Sequence, residues 1–199
     1  LAALHGVIGV MMALYHRKVN GGAGQVIDVA LHEAVFNCME SLIPEYSAFG
    51  AVREPAGSAL PGIAPSNAYP CRDGWVLVAG NGDSIFKRLM ATIDRQDLAD
   101  DAQLADNAGR VARVAEIDAA IGTWTGQHSV AQVMERLAAA RVPAGKVYTA
   151  KDIAEDPHYQ ARGMLQQQQT RDGYSITVPG VVPKLSATPG TVRTSAPHL

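Results

Sequence analysis

The segment from Pro44 to Pro70 constrains this chain more than any other feature. It holds Pro44, Pro55, Pro61, Pro65 and Pro70, with Gly50, Gly57 and Gly62 between them. Proline removes a backbone donor and fixes φ, and glycine loosens the chain, so regular structure is broken here. A connection longer than about 12–15 residues is uncommon within one compact domain, and marks a functional loop or a crossing between domains. We read the segment as a linker carrying a mobile loop. It separates the 199 residues into two parts.

Before the linker, Leu4, Val7, Ile8, Met11, Met12, Leu14 and Tyr15 recur at helical spacing. Ala2, Ala3, Gly6 and Gly9 suit close packing of this helix on a neighbour, and His16, Arg17 and Lys18 complement the negative end of its dipole. Gly21, Gly22 and Gly24 allow a tight turn. Gln25 to Leu31 alternates as a strand does, and His32 to Leu42 reads as a second helix. A phosphate cradle needs strand, glycines, then helix; here the order is helix, glycines, strand, so the glycines read as a helix stop. The apolar start, Leu1 to Tyr15, falls short of the ~18–20 residues of a membrane span and lacks a basic signal-peptide start. A helix apolar from its first residue fits either a piece of a larger protein or a natural N-terminal core helix.

After the linker the pattern is mixed. Trp75 to Ala79 reads as a strand following the turn Arg72-Asp73-Gly74, and Ser84 as the cap of a helix to about Ile93. Further helices are expected from Val111 to about Trp124, from Val130 to Ala140 capped by Ser129, and from Ala150 capped by Thr149. The last should weaken at Asp156-Pro157, because the residue before proline avoids helical angles. Pro143 to Val147 reads as a short strand, and Met164 to Thr170 with Tyr174 to Pro179 as a hairpin. The expected core is Trp75, Leu77, Leu89, Ile117, Ile121, Val133 and Leu137.

Little in the composition points to chemistry. The hydrophobic share is 47% and the net charge −2 with no run of like sign, so nucleic acid and anionic membrane find no electrostatic footprint. Two cysteines without a CxxC pair suit a reducing cytoplasm. Cys38 reads as a buried thiol within a helix; Cys71, beside Arg72, is a conceivable thiolate. His5, His16, His32, His128, His158 and His198 are scattered without metal-ligand spacing, and Asp94, Asp97, Asp100 and Asp101 lack a calcium-loop pattern, so no metal is expected. The loop Gly57-Ser58-Ala59-Leu60-Pro61-Gly62 has glycine at both ends. On its own it reads first as a plain linker turn, and alternatively as a hinge closing over a substrate.

Three segments resemble the family III CoA-transferases, the group of formyl-CoA transferase, carnitine CoA-transferase and the α-methylacyl-CoA racemases. The first is the basic-ended apolar helix followed by Gly24-Gln25-Val26-Ile27-Asp28-Val29-Ala30-Leu31 and Glu33-Ala34. The second is Ile63-Ala64-Pro65-Ser66-Asn67-Ala68-Tyr69 leading to Asp73-Gly74-Trp75-Val76. The third and most specific is Val142-Pro143-Ala144-Gly145-Lys146-Val147-Tyr148, then Asp156-Pro157-His158, then Arg162-Gly163-Met164. Pro189, Arg193, Thr194, Ala196-Pro197 and Leu199 resemble the family's closing segment.

The resemblance implies an α/β fold: the edge of a Rossmann-like CoA-binding domain over residues 1–43, a linker with the glycine loop over 44–66, a small α+β domain over 67–185 and a return linker over 186–199. It implies covalent transfer, in which an enzyme carboxylate attacks an acyl-CoA thioester to give a mixed anhydride, and the thiolate returns to form an enzyme-bound CoA thioester. An acceptor acid then leaves as its own CoA ester. The family's catalytic Asp lies upstream of the first helix seen here, so no catalytic residue is expected in this chain, which reads as an internal fragment. Asp28, within the strand motif, reads as structural. Gly57, Ser58, Pro61 and Gly62 match the family's glycine loop, which shields the anhydride from water; Ser58, Ala59 and Leu60 make it poorer in glycine than the family's. The resemblance further implies acyl-CoA and carboxylic acid substrates, no permanently bound cofactor and an interlocked homodimer. A racemase acting by proton transfer at the α-carbon, or a non-catalytic folding or dimerisation module, are the alternatives.

Overall fold

A computed structural model describes residues 1–193; Thr194 to Leu199, including His198 and most of the closing segment, lie outside the described residues. The chain divides into two compact units, Leu1–Gly57 and Ser58–Leu199.

The first unit is helical. Helix α1 spans Ala2–Val19 and carries His16, Arg17 and Lys18 in its last turn, as its sequence pattern predicts. None of its residues is buried, and Leu4, Met11, Met12 and Tyr15 are all open. The expected strand over Gln25–Leu31 does not form. The backbone runs from Gly21 to Ala30 without regular structure, Val26 is 94% exposed, and helix α2 (Leu31–Phe36) begins where the strand was to end. Alternation makes a strand only when another strand pairs with it, and no described residue does so here.

The second expected helix is also shorter than its apolar run. After α2 the chain turns through Glu40 at φ 50°, and helix α3 follows over Leu42–Phe49. Pro44 lies in the first turn of α3, where a missing N–H costs no helical bond, so helix continues into the proline-rich segment. Cys38 sits in the intervening turn and is exposed, contrary to its reading as a buried thiol. Arg53 folds back onto α3, with Nε 2.7 Å from Glu45 Oε2 and Nη2 2.8 Å from Ser41 Oγ.

The second unit holds the core. Strands β1 (Ser66–Cys71), β2 (Gly74–Ala79) and β3 (Ala144–Lys146) form an antiparallel sheet in that order, with Ala68 opposite Leu77 and Leu77 opposite Gly145. β1 escapes sequence reading because it contains Pro70; an edge strand tolerates proline, since one row of its N–H groups has no ladder to join. Val76 and Val78 of β2 are fully buried, whereas Trp75 and Leu77 are about half exposed. The expected core therefore took the wrong face of this strand, because alternation assigns two faces without saying which is covered.

Helices α4 (Asp83–Thr92), α5 (Gln96–Ala99), α6 (Asn107–Ala112), α7 (Val114–Gly126) and α8 (Val130–Ala139) follow. Leu89, Ile117, Ile121, Val133 and Leu137 are buried with Phe86, Met90 and Leu98, so the helical share of the expected core stands. Gly82, not Ser84, precedes α4. The helix expected from Val111 is broken at Arg113, where φ −119° and ψ 26° leave helical geometry. Ser129 and Thr149 both form capping boxes, with Gln132 and Asp152, at α8 and at α9 (Ala150–Glu155). α9 stops at Asp156, whose carboxylate caps α10 (Pro157–Ala161). The hairpin forms from β4 (Leu165–Gln169) and β5 (Ser175–Pro179).

Arg110 of α6 is wholly buried within this core. Its Nε donates to the Ala64 carbonyl (3.1 Å), Nη1 to those of Leu104 and Ala105 (3.1 and 3.2 Å), and Nη2 to Asn81 O and Asp83 Oδ1 (both 2.8 Å). All five N–H donors of the guanidinium are thus used, and its Cζ lies over the Phe86 ring, 5.2 Å from the centroid. Among the described residues no buried side-chain nitrogen or oxygen lacks a partner.

Two measurements check these interactions. Arg53, and then the Ser41 hydroxyl, hold Glu45 down from its ordinary 4.5 to about 2. A depressed folded value means that the pair stabilises the first unit above pH 4.5 and loses that contribution as pH falls toward about 2. In an Arg53→Ala variant, carboxyl NMR titration should return Glu45 most of the way to 4.5; a value still near 2 would rule out Arg53 as the cause. Arg110→Met should cost about 3 kcal/mol or more in urea unfolding, because buried carbonyls lose their donors. Asp83→Asn should cost under about 1 kcal/mol, as the Asp83 side chain is 68% exposed. Equal costs would show that the ion pair, not the carbonyl cage, is what matters.

Candidate functional site

The glycine loop reaches from the last residue of the first unit, Gly57, to Gly62 in the second. Both glycines have positive φ, 63° and 79°, and a Cβ on either would meet open space. The constraint on these positions is therefore backbone conformation alone, which glycine meets without the cost other residues carry. Gly57-Ser58 and Pro61-Gly62 each form a turn, and Ser58, Pro61 and Gly62 are exposed.

From Ser58 onward, the second unit holds the loop at two places. At its far end Asn107, the first residue of α6, donates from Nδ2 to the Gly62 carbonyl (2.9 Å) and accepts at Oδ1 from the Ala64 N–H (3.1 Å). Arg110 lies three residues later on the same helix face and binds the Ala64 carbonyl. At its near end the Ser58 hydroxyl donates to Asn67 Oδ1 (2.7 Å), and the Leu60 N–H donates to the Ser66 carbonyl (3.0 Å).

Asn67 and Tyr69 are two residues apart on β1 and so project from one face, the face on which α7 packs. Asp118 of α7 receives both. Asn67 Nδ2 lies 3.0 Å from its Oδ2, and Tyr69 Oη 2.6 Å from its Oδ1. Burial, and then the Asp118 carboxylate, push the Tyr69 phenol far above its usual range, so it stays a donor. Ser58, Asn67, Tyr69 and Asp118 form one polar chain from the loop to a core helix. Asn67 and Tyr69 belong to a segment that already stands out in the sequence. Asp118 carries no such signal, since it is one of two acids, with Glu116, in a mostly apolar helix.

The remaining candidates have other tasks. Cys71 is half-buried, and burial followed by Asp73 raises its thiol; the adjacent Arg72 turns to Gln132 Oε1 (3.1 Å), so the thiolate reading fails. Asp156 accepts from the His158 and Tyr159 N–H groups and from Tyr148 Oη (2.8 Å). Lys146 pairs with Asp152, whose carboxyl it holds well below the usual range. These residues, conspicuous in the sequence, order the turns around α9 and α10. Asp28 lies in the irregular stretch before α2, outside any strand. Among the described residues no three His, Cys, Asp or Glu side chains are grouped to hold a metal ion. The site therefore positions a loop; its one carboxylate is occupied by two donors.

Comparison with known proteins bears on what such a loop serves. The family model described as CoA-transferase family III matches residues 1–199. The chain is 40% identical to a succinyl-CoA–D-citramalate CoA-transferase of Chloroflexus aurantiacus, over 100% of this chain and 50% of that protein. It is 36% identical to the β subunit of a succinyl-CoA–L-malate CoA-transferase of the same organism, again over 100% and 50%. The chain thus spans about half the length of the curated relatives it matches. A crystal structure of a CAIB/BAIF family protein from Brucella suis superimposes with TM-score 0.78 at 29% identity, over 100% of this chain and 51% of that one. The orthorhombic crystal structure of Rv3272 from M. tuberculosis gives TM-score 0.76 at 20% identity, over 96% and 50%, which shows a common fold.

Proposed function

This chain belongs to CoA-transferase family III, and on that ground we propose that it serves an enzyme moving CoA from an acyl-CoA thioester to a small carboxylic acid. The observation that carries this reading is the family match over all 199 residues. The relatives named above act, by their names, on succinyl-CoA with D-citramalate or L-malate, and another is a succinyl-CoA:mesaconate CoA-transferase of Haloarcula marismortui at 29% identity, over 99% of this chain and 49% of that protein. These names support a succinyl-CoA donor and a four- or five-carbon dicarboxylate acceptor. They favour transfer over α-carbon racemisation.

In this reading CoA comes and goes as a substrate, and no cofactor is held. The nucleophilic carboxylate lies outside these residues. Residues 1–43 contribute an edge of the CoA-binding domain, 44–66 the linker and loop, 67–185 the small domain and 186–199 the returning linker. The open apolar surface of α1 and α2 supports such a role, since an element of this kind needs a neighbour to cover it. A second subunit completes the enzyme; we propose a homodimer, although the malate relatives are named as α and β subunits. The site of action is the cytoplasm, with no nucleic-acid or membrane partner; among the described residues no helix is long and apolar enough to cross a membrane.

The role of this chain is to exclude water. A mixed anhydride between enzyme and acyl group hydrolyses if water reaches it, so the site must open for two substrates and close between them. Gly57, Ser58, Pro61 and Gly62 form the moving cover. Gly57 and Gly62 supply positive φ at its two ends, and the polar chain to Asp118 sets its position.

Two outcomes test this. The 199-residue chain alone should show no exchange of CoA between succinyl-CoA and malate or citramalate; turnover would place the nucleophile within it. In a transferase of the relatives' full length carrying this chain, Gly57→Val should lower turnover and raise the share of acyl-CoA lost to hydrolysis. Its cost in stability should stay at about 1–2 kcal/mol, the strain of one residue held at positive φ. Unchanged turnover and unchanged partition would leave the loop a spacer.

A further inference from the structure

The two attachments of the glycine loop differ in kind. Asn107 makes two bonds at the Gly62 end and is half-buried on a helix whose Arg110 is locked in the core. Ser58, at the other end, is exposed and is held by a single side-chain bond to Asn67. Asn67 is itself fixed on both sides. Its Oδ1 also accepts the Ala68 N–H (2.8 Å), and its Nδ2 faces Asp118. The amide is thereby oriented with its oxygen toward the loop, and the Asp118 charge polarises it in that sense. Tyr69 completes the arrangement by occupying the second Asp118 oxygen, which keeps the carboxylate from rotating away.

We infer that Ser58 is a releasable latch and Asn107 a fixed post, so that the loop swings on its Gly62 end and is held in the conformation of this structure by Ser58 through Asn67 and Asp118. These are positioning residues, acting through the loop and not on substrate. The inference rests on the reading of residues 57–62 as the cover of a transferase site. Its physical content is an asymmetry: breaking one exposed side-chain bond leaves residues 58–60 held only by the Leu60 N–H bond to Ser66, while the segment from Gly62 to Ala64 remains tied to α6. The Leu60 N–H bond to Ser66 reports the first event and the Ala64 N–H bond to Asn107 reports the second.

Residue-resolved amide hydrogen exchange on the 199-residue chain tests it. Ser58→Ala should raise Leu60 N–H exchange about fivefold, the factor expected from losing one ordinary hydrogen bond, and leave Ala64 N–H and the melting temperature unchanged. Ser58→Thr keeps the hydroxyl and should restore the Leu60 protection, which a merely spatial role for Ser58 would not require. Asn107→Ala should give the complementary pattern, with Ala64 N–H exposed more than Leu60 N–H. Unchanged Leu60 exchange in Ser58→Ala, an equal rise at Leu60 and Ala64, or failure of threonine to restore protection would each overturn the latch. The measurement contains no acyl-CoA, so an inactive chain still decides it, and a failed latch leaves the transfer assays above to stand or fall separately.

Discussion

The second unit is organised around a buried positive charge. A guanidinium removed from water is costly unless every N–H is matched, and Arg110 matches its five donors with four backbone carbonyls and one carboxylate. Those carbonyls belong to Ala64, Asn81 and the adjacent pair Leu104 and Ala105, which lie in three separate stretches of the chain. One side chain therefore ties the end of the glycine loop, the entrance of α4 and the turn before α6 to one point. The Asp83 carboxylate is mostly exposed, so the cage of carbonyls and not the ion pair does the binding.

The loop's properties follow from this anchor. Asn107 and Arg110 sit one turn apart on α6, and together they hold Gly62 and Ala64. On the Gly57 side of the loop a single serine hydroxyl makes the side-chain attachment. In the proposed transferase, a cover closing over a water-sensitive intermediate and then reopening would need one firm end and one weak end. A loop bound firmly throughout would not open, and one bound nowhere would not close in register. The contrast between a half-buried side chain with two bonds, Asn107, and an exposed one with a single bond, Ser58, matches that requirement.

Much of the local architecture can be read directly. The capping boxes of Ser129 and Thr149, the break at Asp156-Pro157 and the hairpin between β4 and β5 form where side-chain chemistry a few residues away dictates them. The misreadings share one cause. Gln25–Leu31 has the alternation of a strand and no partner; β1 has a partner and contains a proline; Trp75 and Leu77 alternate correctly and face outward. In each case the deciding fact is what lies on the other side of the chain. The same holds for the site. Glycines 57 and 62 and the segment from Ile63 to Tyr69 are conspicuous in the sequence, whereas Asn107, Arg110 and Asp118 are ordinary residues there.

Family membership is legible in the linear chain, through motifs spread from Gly24 to Met164, and so are the helices and turns whose caps lie within a few residues of their ends. These depend on short-range geometry, which a linear pattern carries in full. Which face of β2 is buried, which arginine is enclosed, and which carboxylate holds Asn67 were settled in three dimensions. The polar choices among them include bonds between groups 27 to 51 residues apart. Their energy comes from matching donors with acceptors in a site that water has left, and no local pattern records which partner will be there.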